Sequence, residues 1–306
     1  MLNEYLNKLE YELDKRNIEE KNDILQYFEE MITDRVESGE AIEDVITSLG
    51  DASSLVTSLF GPSDHEEEQR ENSTNRKFEE FYDVREIKID NVSYDISFTK
   101  ASGRTVSVEY NDDEYNTLKI RFEHGKLKIE QECFKGLDRF FNAFSNLFSN
   151  ERKEIFGNYK AIITIPDNSE LDLNVETVNG DLDFEEIQAG RLRINGVNGD
   201  MSFDHCAFER NEIDSVNGDI EIHDMSILDR FKADLVSADL KADMLRCEEI
   251  RIESVSGDVD LLIDGQADQY DVEISKVLKE QSYQGRGRGK LRVETVSGDI
   301  SYSFTR

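Results

Sequence analysis

Carboxylates recur at one position of a short repeated phrase, and carboxylates brought close together are potential ligands for a cation. The phrase is Val-Asn-Gly-Asp or Val-Ser-Gly-Asp followed by an apolar residue, as in DSVNGDIEI at 214–222. Ala238 replaces the glycine in one copy. The aspartates are Asp181, Asp200, Asp219, Asp239, Asp258 and Asp299. Because stacked carboxylates repel each other and Ca²⁺ would relieve that repulsion, the first five form a candidate metal site.

A structural role for the same aspartates is the alternative, and it is the one we expect. Asn, Ser, Gly and Asp are turn-forming residues, and the Asx and Ser side chains accept hydrogen bonds from backbone N–H groups. The glycine suits either a positive φ or a close approach of two chain segments. Successive aspartates are 19, 19, 20, 19 and 41 residues apart, the last interval being about two periods. A period near 20 residues is typical of a solenoid and does not fit the nine-residue calcium-binding β-roll repeat.

The repeats align as columns when they are superposed on the aspartate. Stacked interior side chains would produce such columns, so we predict a mainly β chain that forms a parallel β-solenoid of about 20-residue coils. The apolar residues expected to point inward occupy three columns. One position after the aspartate stand Leu182, Met201, Ile220, Leu240, Val259 and Ile300; three before it Val178, Val197, Val216, Val236, Val255 and Val296; and six before it Val175, Ile194, Ile213, Ala233, Ile252 and Val293.

A polar stripe five positions before the aspartate is expected to face outward. It could meet a basic partner, but a solvated face is the interpretation that we favour. Its members are Glu176, Asn195, Asp214, Asp234, Glu253 and Glu294.

No constellation of residues predicts catalysis, and no cofactor is expected. The four histidines are scattered, and Cys133, Cys206 and Cys247 form neither a CxxC pair nor an even set for disulfides. Cys206 falls in an apolar column and is predicted to be a buried thiol. The segment GRGRGK at 285–290 lacks the context of a phosphate-binding loop. We interpret it as a flexible excursion, with the binding of an acidic group as the alternative.

Charge limits the partners of this chain of 306 residues. Its formal net charge is −32, which would repel nucleic acid and anionic lipid over most of the surface. Basic proteins, divalent cations or simple solubility remain. The first residues do not resemble a signal peptide, and no apolar run approaches the roughly 18 residues that span a bilayer. We therefore expect a cytoplasmic protein.

Periodicity divides the chain into three regions. Residues 1–60 have helical spacing and predict a small bundle of four helices, the second opened by a capping box at Asn17 and Glu20. Residues 61–83 predict a linker, and residues 84–306 alternate with a period of two, as strands do. The first strand region already contains a weak copy of the phrase at residues 92–95.

A helical insertion near 134–150 interrupts the strands with large apolar residues. We expect it to cap the first coil of the solenoid. Alternatively it is an interaction surface for a partner helix or a membrane surface, with Phe140, Phe144 and Phe148 as candidate binding residues. Its apolar residues at helical spacing are Phe134, Leu137, Phe140, Phe141, Phe144, Leu147 and Phe148.

Two regions of the chain resemble known bacterial families. The recurring VNGD and VSGD phrases, with Ile165, Pro166 and Leu171, resemble the DUF4097 family, whose members are described as adhesin-like. That resemblance implies a β-solenoid without catalysis and a link to cell-envelope stress signalling. Residues 1–60 resemble the HAAS (DUF1700) helical signalling domain through Leu6, Leu9, ILQYFEEMI and SGEAIEDVITSLGD, although Ala52 stands where members commonly have proline. That family is linked to PadR-type repressors, which makes such a regulator a candidate partner.

Three functional hypotheses follow. The first is a regulatory or scaffold protein that acts through protein–protein interaction. The second is an adhesin-like surface protein, and the third, an enzyme acting on a polymer, lacks an acid–base pair. The last strand, ISYSFTR, shows no obvious cap, and we expect the helical region or a second copy of the chain to cover its edge.

Overall fold

A computed structural model describes residues 1–16, 18, 21–49, 51–53, 55–56, 75–101, 103–112, 117–132, 159–166, 170–276 and 279–306. These residues divide into two compact units, one containing the helices and one containing almost all of the strand residues. Each unit is described by itself. The fold class predicted from the sequence, mainly β with a small N-terminal helical part, is confirmed.

The helical unit contains α1 (Leu2–Lys15), α2 (Lys21–Glu37) and α3 (Ile42–Leu49). Their apolar stripes meet in one core, as the spacing of three and four residues predicts. Val36 lies in the last turn of α2 and is 36% exposed, outside this core. The capping pair Asn17 and Glu20 lies outside the described residues. The core is formed by Tyr5, Leu9, Leu13, Ile24, Phe28, Ile32, Val45, Leu49, Ala52, Leu55 and Val56.

Backbone conformation and hydrogen bonds mark the end of α2 and the start of the turn after α3. Gly39 follows α2 with a φ of +102°, a conformation that glycine adopts without steric cost. The N–H of Glu40 then donates to the carbonyl of Arg35 over 3.1 Å, which satisfies a terminal helix acceptor. After α3, the N–H of Leu55 donates to the carbonyl of Asp51. A helical turn therefore follows Asp51, in the region where the sequence predicts a fourth helix.

The strand unit begins earlier than the sequence predicts. Residues 75–81, expected to end the linker, form strand β1, which pairs with β4. A 3₁₀ turn at Ala267–Gln269 is the only helical element described among the strands. The strands are β1 (Asn75–Phe81), β2 (Glu86–Asp90), β3 (Asp95–Ala101), β4 (Val106–Asp112), β5 (Thr117–Glu123), β6 (Lys126–Glu132), β7 (Lys160–Pro166), β8 (Asp172–Thr177), β9 (Leu182–Glu185), β10 (Gln188–Gly196), β11 (Met201–Ser215), β12 (Ile220–Leu235), β13 (Leu240–Ser254), β14 (Val259–Ile263), β15 (Tyr270–Lys276), β16 (Lys279–Tyr283), β17 (Gly289–Thr295) and β18 (Ile300–Phe304).

Strands one repeat apart pair in parallel, so the repeat interval sets the register. Ile194 pairs with Ile213, and Ile220 pairs with Leu240, which are equivalent positions of successive repeats. Two rows of strands result, and the long strands β11, β12 and β13 contribute one half to each row. The first row runs β6, β2, β8, β10, β11, β12, β13, β17, β15, β16. The second runs β1, β4, β7, β3, β9, β11, β12, β13, β14, β18.

Two of the three predicted apolar columns lie in the core, and the valine column does not. The column six before the aspartate is fully buried, as is the column one after it as far as Val259. Val216, Val236 and Val255 are 37%, 43% and 48% exposed, so their predicted inward direction is wrong. Side chains alternate between inward and outward along a strand. The residue before the valine, such as Ser215 or Leu235, points inward, so the valine itself points outward. The valines still stack in adjacent coils, since the N–H of Val197 donates to Thr177 and that of Val216 to Gly196.

The interval of 41 residues between the last two aspartates is one coil and not two periods. Asp299 is directly adjacent to Asp258, because its N–H donates to the Asp258 carboxylate over 2.7 Å. β17 pairs with β13, and β18 pairs with β14, as the next coil should. The additional residues form an antiparallel hairpin of β15 and β16, which continues the first row beyond β17.

A close approach of successive coils favours glycine at the corner, although Ala238 occupies the equivalent position of one copy and is fully buried there. A Cβ on Gly218 would lie 1.8 Å from the carbonyl oxygen of Gly199, and one on Gly199 would lie 2.0 Å from that of Gly180. Gly257 meets the carbonyl of Ala238 in the same way, at 1.7 Å. No real Cβ occupies such a distance, so a side chain at these three glycine positions requires the neighbouring backbone to shift.

We predict that Gly218→Ala lowers the free energy of unfolding by about 1–3 kcal/mol, the usual cost of overpacking. Denaturant unfolding of the full chain measures the change. Gly103→Ala is the matched control, because the nearest atom to a Cβ there, Thr105 Oγ1, is 3.9 Å away. Equal stability of the two variants would contradict the close approach.

Candidate functional site

The repeated aspartates form a ladder in which each carboxylate accepts a hydrogen bond from the next coil. The backbone N–H of Asp200 donates to Asp181 Oδ1 over 3.0 Å, and that of Asp219 donates to Asp200 Oδ1 over 3.2 Å. The N–H groups of Asp239 and Asp258 continue the ladder at 2.9 and 2.7 Å. The carboxylate thus provides an acceptor at a corner, where the strand ladder is interrupted.

The weak copy of the phrase is the first rung of this ladder. The N–H of Asp181 donates to Asp95 Oδ1 over 3.1 Å. Burial raises the pKa of Asp95 above its usual value, the hydrogen bond from Asp181 lowers it, and repulsion from the charge of Asp181 raises it. Stacking therefore starts 86 residues before the first clear repeat, across the segment that separates them.

A second polar ladder lies beside the aspartates. Asn198 Nδ2 donates to Asn179 Oδ1 over 2.8 Å, and Asn217 Nδ2 donates to Asn198 Oδ1 over 2.9 Å. Ser237 and Ser256 continue it with their hydroxyl oxygens 3.3 Å apart. The Asn or Ser side chain of each of these copies thus bonds to the equivalent side chain of a neighbouring coil.

The candidate metal site at Asp181, Asp200, Asp219, Asp239 and Asp258 has no cluster of ligands around it. Within the residues that the structure describes, no group of three His, Cys, Asp or Glu side chains is placed to hold a metal ion. The Oδ1 atom of each aspartate already accepts a backbone N–H. The observed contacts are those of the structural alternative.

The outward stripe is largely neutralised by neighbouring cations. Lys88 lies 3.2 Å from Glu176, and Arg251 donates to Glu253 over 2.9 Å. Asp214 is paired less well, because Arg193 is 3.9 Å away. Burial, with repulsion from Asp234, raises the pKa of Asp214. The stripe therefore offers little free negative charge to a basic partner.

Two of the three thiols are buried, as the sequence predicts for Cys206. Cys206 pairs with Met225 in the register, and Cys247 pairs with Ile227. Burial raises the pKa of each thiol to about 11. Both are therefore neutral at physiological pH and poor nucleophiles. Cys133 lies outside the described residues.

The glycine-rich segment 285–290 is packed against the strand unit and is not the excursion that we expected. Added Cβ atoms on Gly285 and Gly287 would each lie 2.3 Å from a backbone oxygen, of Tyr270 and Gln269 respectively. The N–H of Gly285 also donates to Asp271 Oδ1 over 2.9 Å. The three glycines allow the segment to cross the start of β15 at backbone contact.

The candidate binding residues Phe140, Phe144 and Phe148 lie outside the described residues, with the rest of the insertion near 134–150. Their role as a cap or an interaction surface stays a prediction.

Sequence reasoning missed a second corner, five positions after the aspartate. Glu186, His205, Asp224 and Met244 have positive φ there, between 51° and 75°. The fixed offset from the aspartate was the available signal, but their residue types share no preference for this conformation.

The profile of the Toastrack DUF4097 family matches residues 84–304. The chain belongs to this family. A second profile, that of HAAS, matches residues 4–56, which include the helical core. Both matches agree with the resemblances seen in the sequence.

Several solved structures are similar to this Toastrack chain at low identity. A proposed lipid-binding protein from Parabacteroides distasonis ATCC 8503 is 14% identical, with 77% of this chain and 98% of that chain covered and a TM-score of 0.43. A proposed adhesin from Bacteroides fragilis NCTC 9343 is 12% identical, covering 75% and 97%, with a TM-score of 0.37. Another from Parabacteroides merdae ATCC 43184 is 11% identical, covering 77% and 97%, with a TM-score of 0.38.

No curated protein sequence is similar enough to extend the comparison. Among the described residues, no helix has the length and apolar character needed to cross a membrane.

We predict that Asp219→Ala destabilises the protein by about 1 kcal/mol, because it removes the acceptor of the Asp239 N–H. Asp219→Asn keeps an oxygen acceptor and should remain close to the unchanged protein. Thermal unfolding measures both. Added Ca²⁺ should leave the melting temperature unchanged, whereas a calcium-dependent rise that Asp219→Ala abolishes would establish the metal site.

We predict opposite effects of removing charge at Asp214 and at Asp264. The pKa of Asp214 is raised, so its charged form destabilises the native state, and Asp214→Asn should raise the melting temperature at pH 7. Hydrogen bonds from Arg246 and Thr305 lower the pKa of Asp264, so Asp264→Asn should reduce stability at pH 7.

A series of melting curves between pH 7 and pH 3 tests the sign of both effects. The gain at Asp214 should disappear as the pH falls through its raised native pKa and below the unfolded value of about 3.9. The loss at Asp264 should shrink as the pH falls below that value and through its lowered native pKa. Shifts of the same sign for both variants would contradict these assignments.

Proposed function

We propose that this protein is a non-enzymatic regulatory scaffold of bacterial cell-envelope signalling that acts in the cytoplasm through protein–protein contacts. Its strand unit would be a parallel β-solenoid that serves as a rigid body, and its helical unit would dock a protein partner. A PadR-type regulator is the candidate partner, by association with the HAAS family. Neither nucleic acid nor a cofactor has a part in this proposal.

The proposal rests on one observation. The side chains that could react, the carboxylates of the repeated aspartates and the described thiols, are occupied by contacts between coils or are buried. The aspartates accept backbone N–H groups of the next coil, and the two described thiols are buried with a raised pKa. Residues that hold coils together are not available to turn over a substrate. The repeated phrase therefore supports a stacked scaffold better than an active site.

The helical unit supplies a surface that a partner could use. An open groove of about 510 Å³ lies along α1 and is lined by Glu4, Asn7, Lys8, Tyr11, Glu12 and residues 51–53. Tyr11 is 61% exposed, although its ring is one of the largest apolar groups of the unit. Lys15 Nζ lies 4.9 Å from the centre of this ring. An exposed aromatic ring flanked by charges is typical of a residue that a partner covers.

The adhesin-like surface protein is a second candidate, favoured by the outward valine column. Val236, Val255 and Val296 are 43%, 48% and 54% exposed and stand beside the Asn and Ser ladder. Such a regular array of apolar and polar groups could bind an extended ligand. Fractionation of the native host separates the two functions, because the scaffold is expected in the cytoplasmic fraction and an adhesin at the surface.

We predict that Lys8→Glu with Tyr11→Ala weakens binding of the purified PadR-type regulator from the same host at least tenfold. The reason is that both side chains line the groove of the helical unit. Size-exclusion chromatography and calorimetry of the full chain measure the loss.

The matched control is Gln26→Ala with Glu30→Ala, on the exposed face of α2, where the two side chains bond only to each other over 2.9 Å. It should bind like the unchanged protein. Equal binding by the groove variant and the control, or no binding by the unchanged protein, would refute this partner and this surface.

A further inference from the structure

The C-terminal residues reverse the charge of an otherwise acidic chain. Residues 276–306 contain seven Lys or Arg and three Asp or Glu, a formal net charge of +4, whereas the whole chain carries −32. Two of these cations, Arg286 and Arg288, alternate with the glycines that pack against Gln269 and Tyr270. Both arginines are exposed.

Among the residues that the structure describes, Arg286 and Arg288 have no counter-ion, in contrast to most of the arginines of the strand unit. Arg230 lies 3.0 Å from Glu249, and Arg246 donates to Asp264 over 2.8 Å. Within the described part of the chain, no carboxylate lies at ion-pair distance from Arg286 or Arg288. The nearby Asp271 carboxylate instead accepts the N–H of Gly285. The backbone carbonyl of Asp268 accepts the backbone N–H of Arg286, and among the described residues neither acid forms an ion pair with a guanidinium group. In a chain with 68 acidic residues, two adjacent unpaired arginines are available for an external anion.

An open strand edge lies next to these arginines. β16 ends at Tyr283, three residues before Arg286, and among the described strands it pairs with β15 alone, since β13 and β15 occupy the two edges of β17. Its other edge can hydrogen-bond with a further strand. Tyr283, at the end of this edge, is 55% exposed and could cover an apolar side chain of that strand.

We propose that the β16 edge and Arg286 and Arg288 together bind an acidic, extended polypeptide segment by strand addition. The backbone of the segment pairs with β16, and its carboxylates lie against the two guanidinium groups, which suit carboxylate geometry. This partner fits the charges better than nucleic acid or an anionic bilayer. Both of those would extend over the surrounding acidic surface, while a short peptide need contact only the basic end.

The proposal is independent of the helical groove and names a second partner surface. It is tested on the full chain with a labelled peptide, EEETVTVTV, and its reversed sequence, by fluorescence anisotropy. We expect one orientation to bind, with an affinity that falls as the salt concentration rises. The matched peptide KKKTVTVTV tests charge, and EEETVPVPV tests strand pairing because proline lacks the N–H donor. Both should bind at least tenfold more weakly.

Arg286→Glu with Arg288→Glu should also weaken peptide binding at least tenfold, without a change in melting temperature. Arg210→Glu with Arg230→Glu makes the same change of charge at ion-paired positions and should leave peptide binding within about twofold, since both arginines already have partners. An equal loss in both variants would show a general charge effect and overturn the site.

Three other results would overturn the proposal. They are equal binding of the proline peptide, stronger binding of single-stranded DNA or phosphatidylglycerol vesicles than of either acidic peptide, and a dimer in sedimentation velocity that only Arg286→Glu with Arg288→Glu dissociates. The last would assign the edge to a second copy of the chain.

Discussion

The close approach of successive coils at the glycine corner is the constraint on which the strand unit depends. The Cα of each corner glycine contacts the carbonyl group of the corner before it, so that a Cβ on Gly218 would lie 1.8 Å from that oxygen. Strand pairing sets the spacing of coils on the flat faces, and the corner must match the same spacing. Glycine allows this match at most corners, and Ala238, with the smallest side chain, is accommodated at one. The carboxylate of the following aspartate then supplies an acceptor that the corner backbone lacks.

The stacked coils also provide partners for the carboxylates of this acidic repeat. Each carboxylate of the ladder gains an N–H donor, and the outward stripe gains cations such as Lys88 and Arg251. Hydrogen bonds to a charged acceptor stabilise more than those to a neutral one, and they offset part of the repulsion along the column. These acidic side chains already have partners within the strand unit. For this reason we propose a function in protein–protein contacts and not in catalysis.

The pairing of strands with a further coil is incomplete at the last described strand of each row. β18 ends one row with Ile300 and Phe304 only half-buried, and the hairpin of β15 and β16 extends the other. The hairpin covers the row beyond β17, but it presents a new edge with unpaired arginines beside it. A stack of this kind has no internal way to finish a row, so its last strands are natural contact points for other polypeptides.

The period, the identity of the rungs and the two buried columns follow from the amino-acid sequence alone, because equivalent residues of a stacked repeat must share one environment. The sequence also identified the helical core, since a spacing of three and four residues is specific to one face of a helix. The sequence did not show that the valine column points outward, because a column of identical residues looks the same whether it faces the core or the solvent. Its direction depends on the position of the corner, where the alternation of inward and outward side chains is interrupted. Only the tertiary structure showed that the interval of 41 residues is one coil with a hairpin, because Asp299 contacts Asp258 through space. The packing of the glycine-rich segment was likewise decided there, since the backbone of Gln269 and Tyr270 that requires those glycines is brought beside them by folding alone.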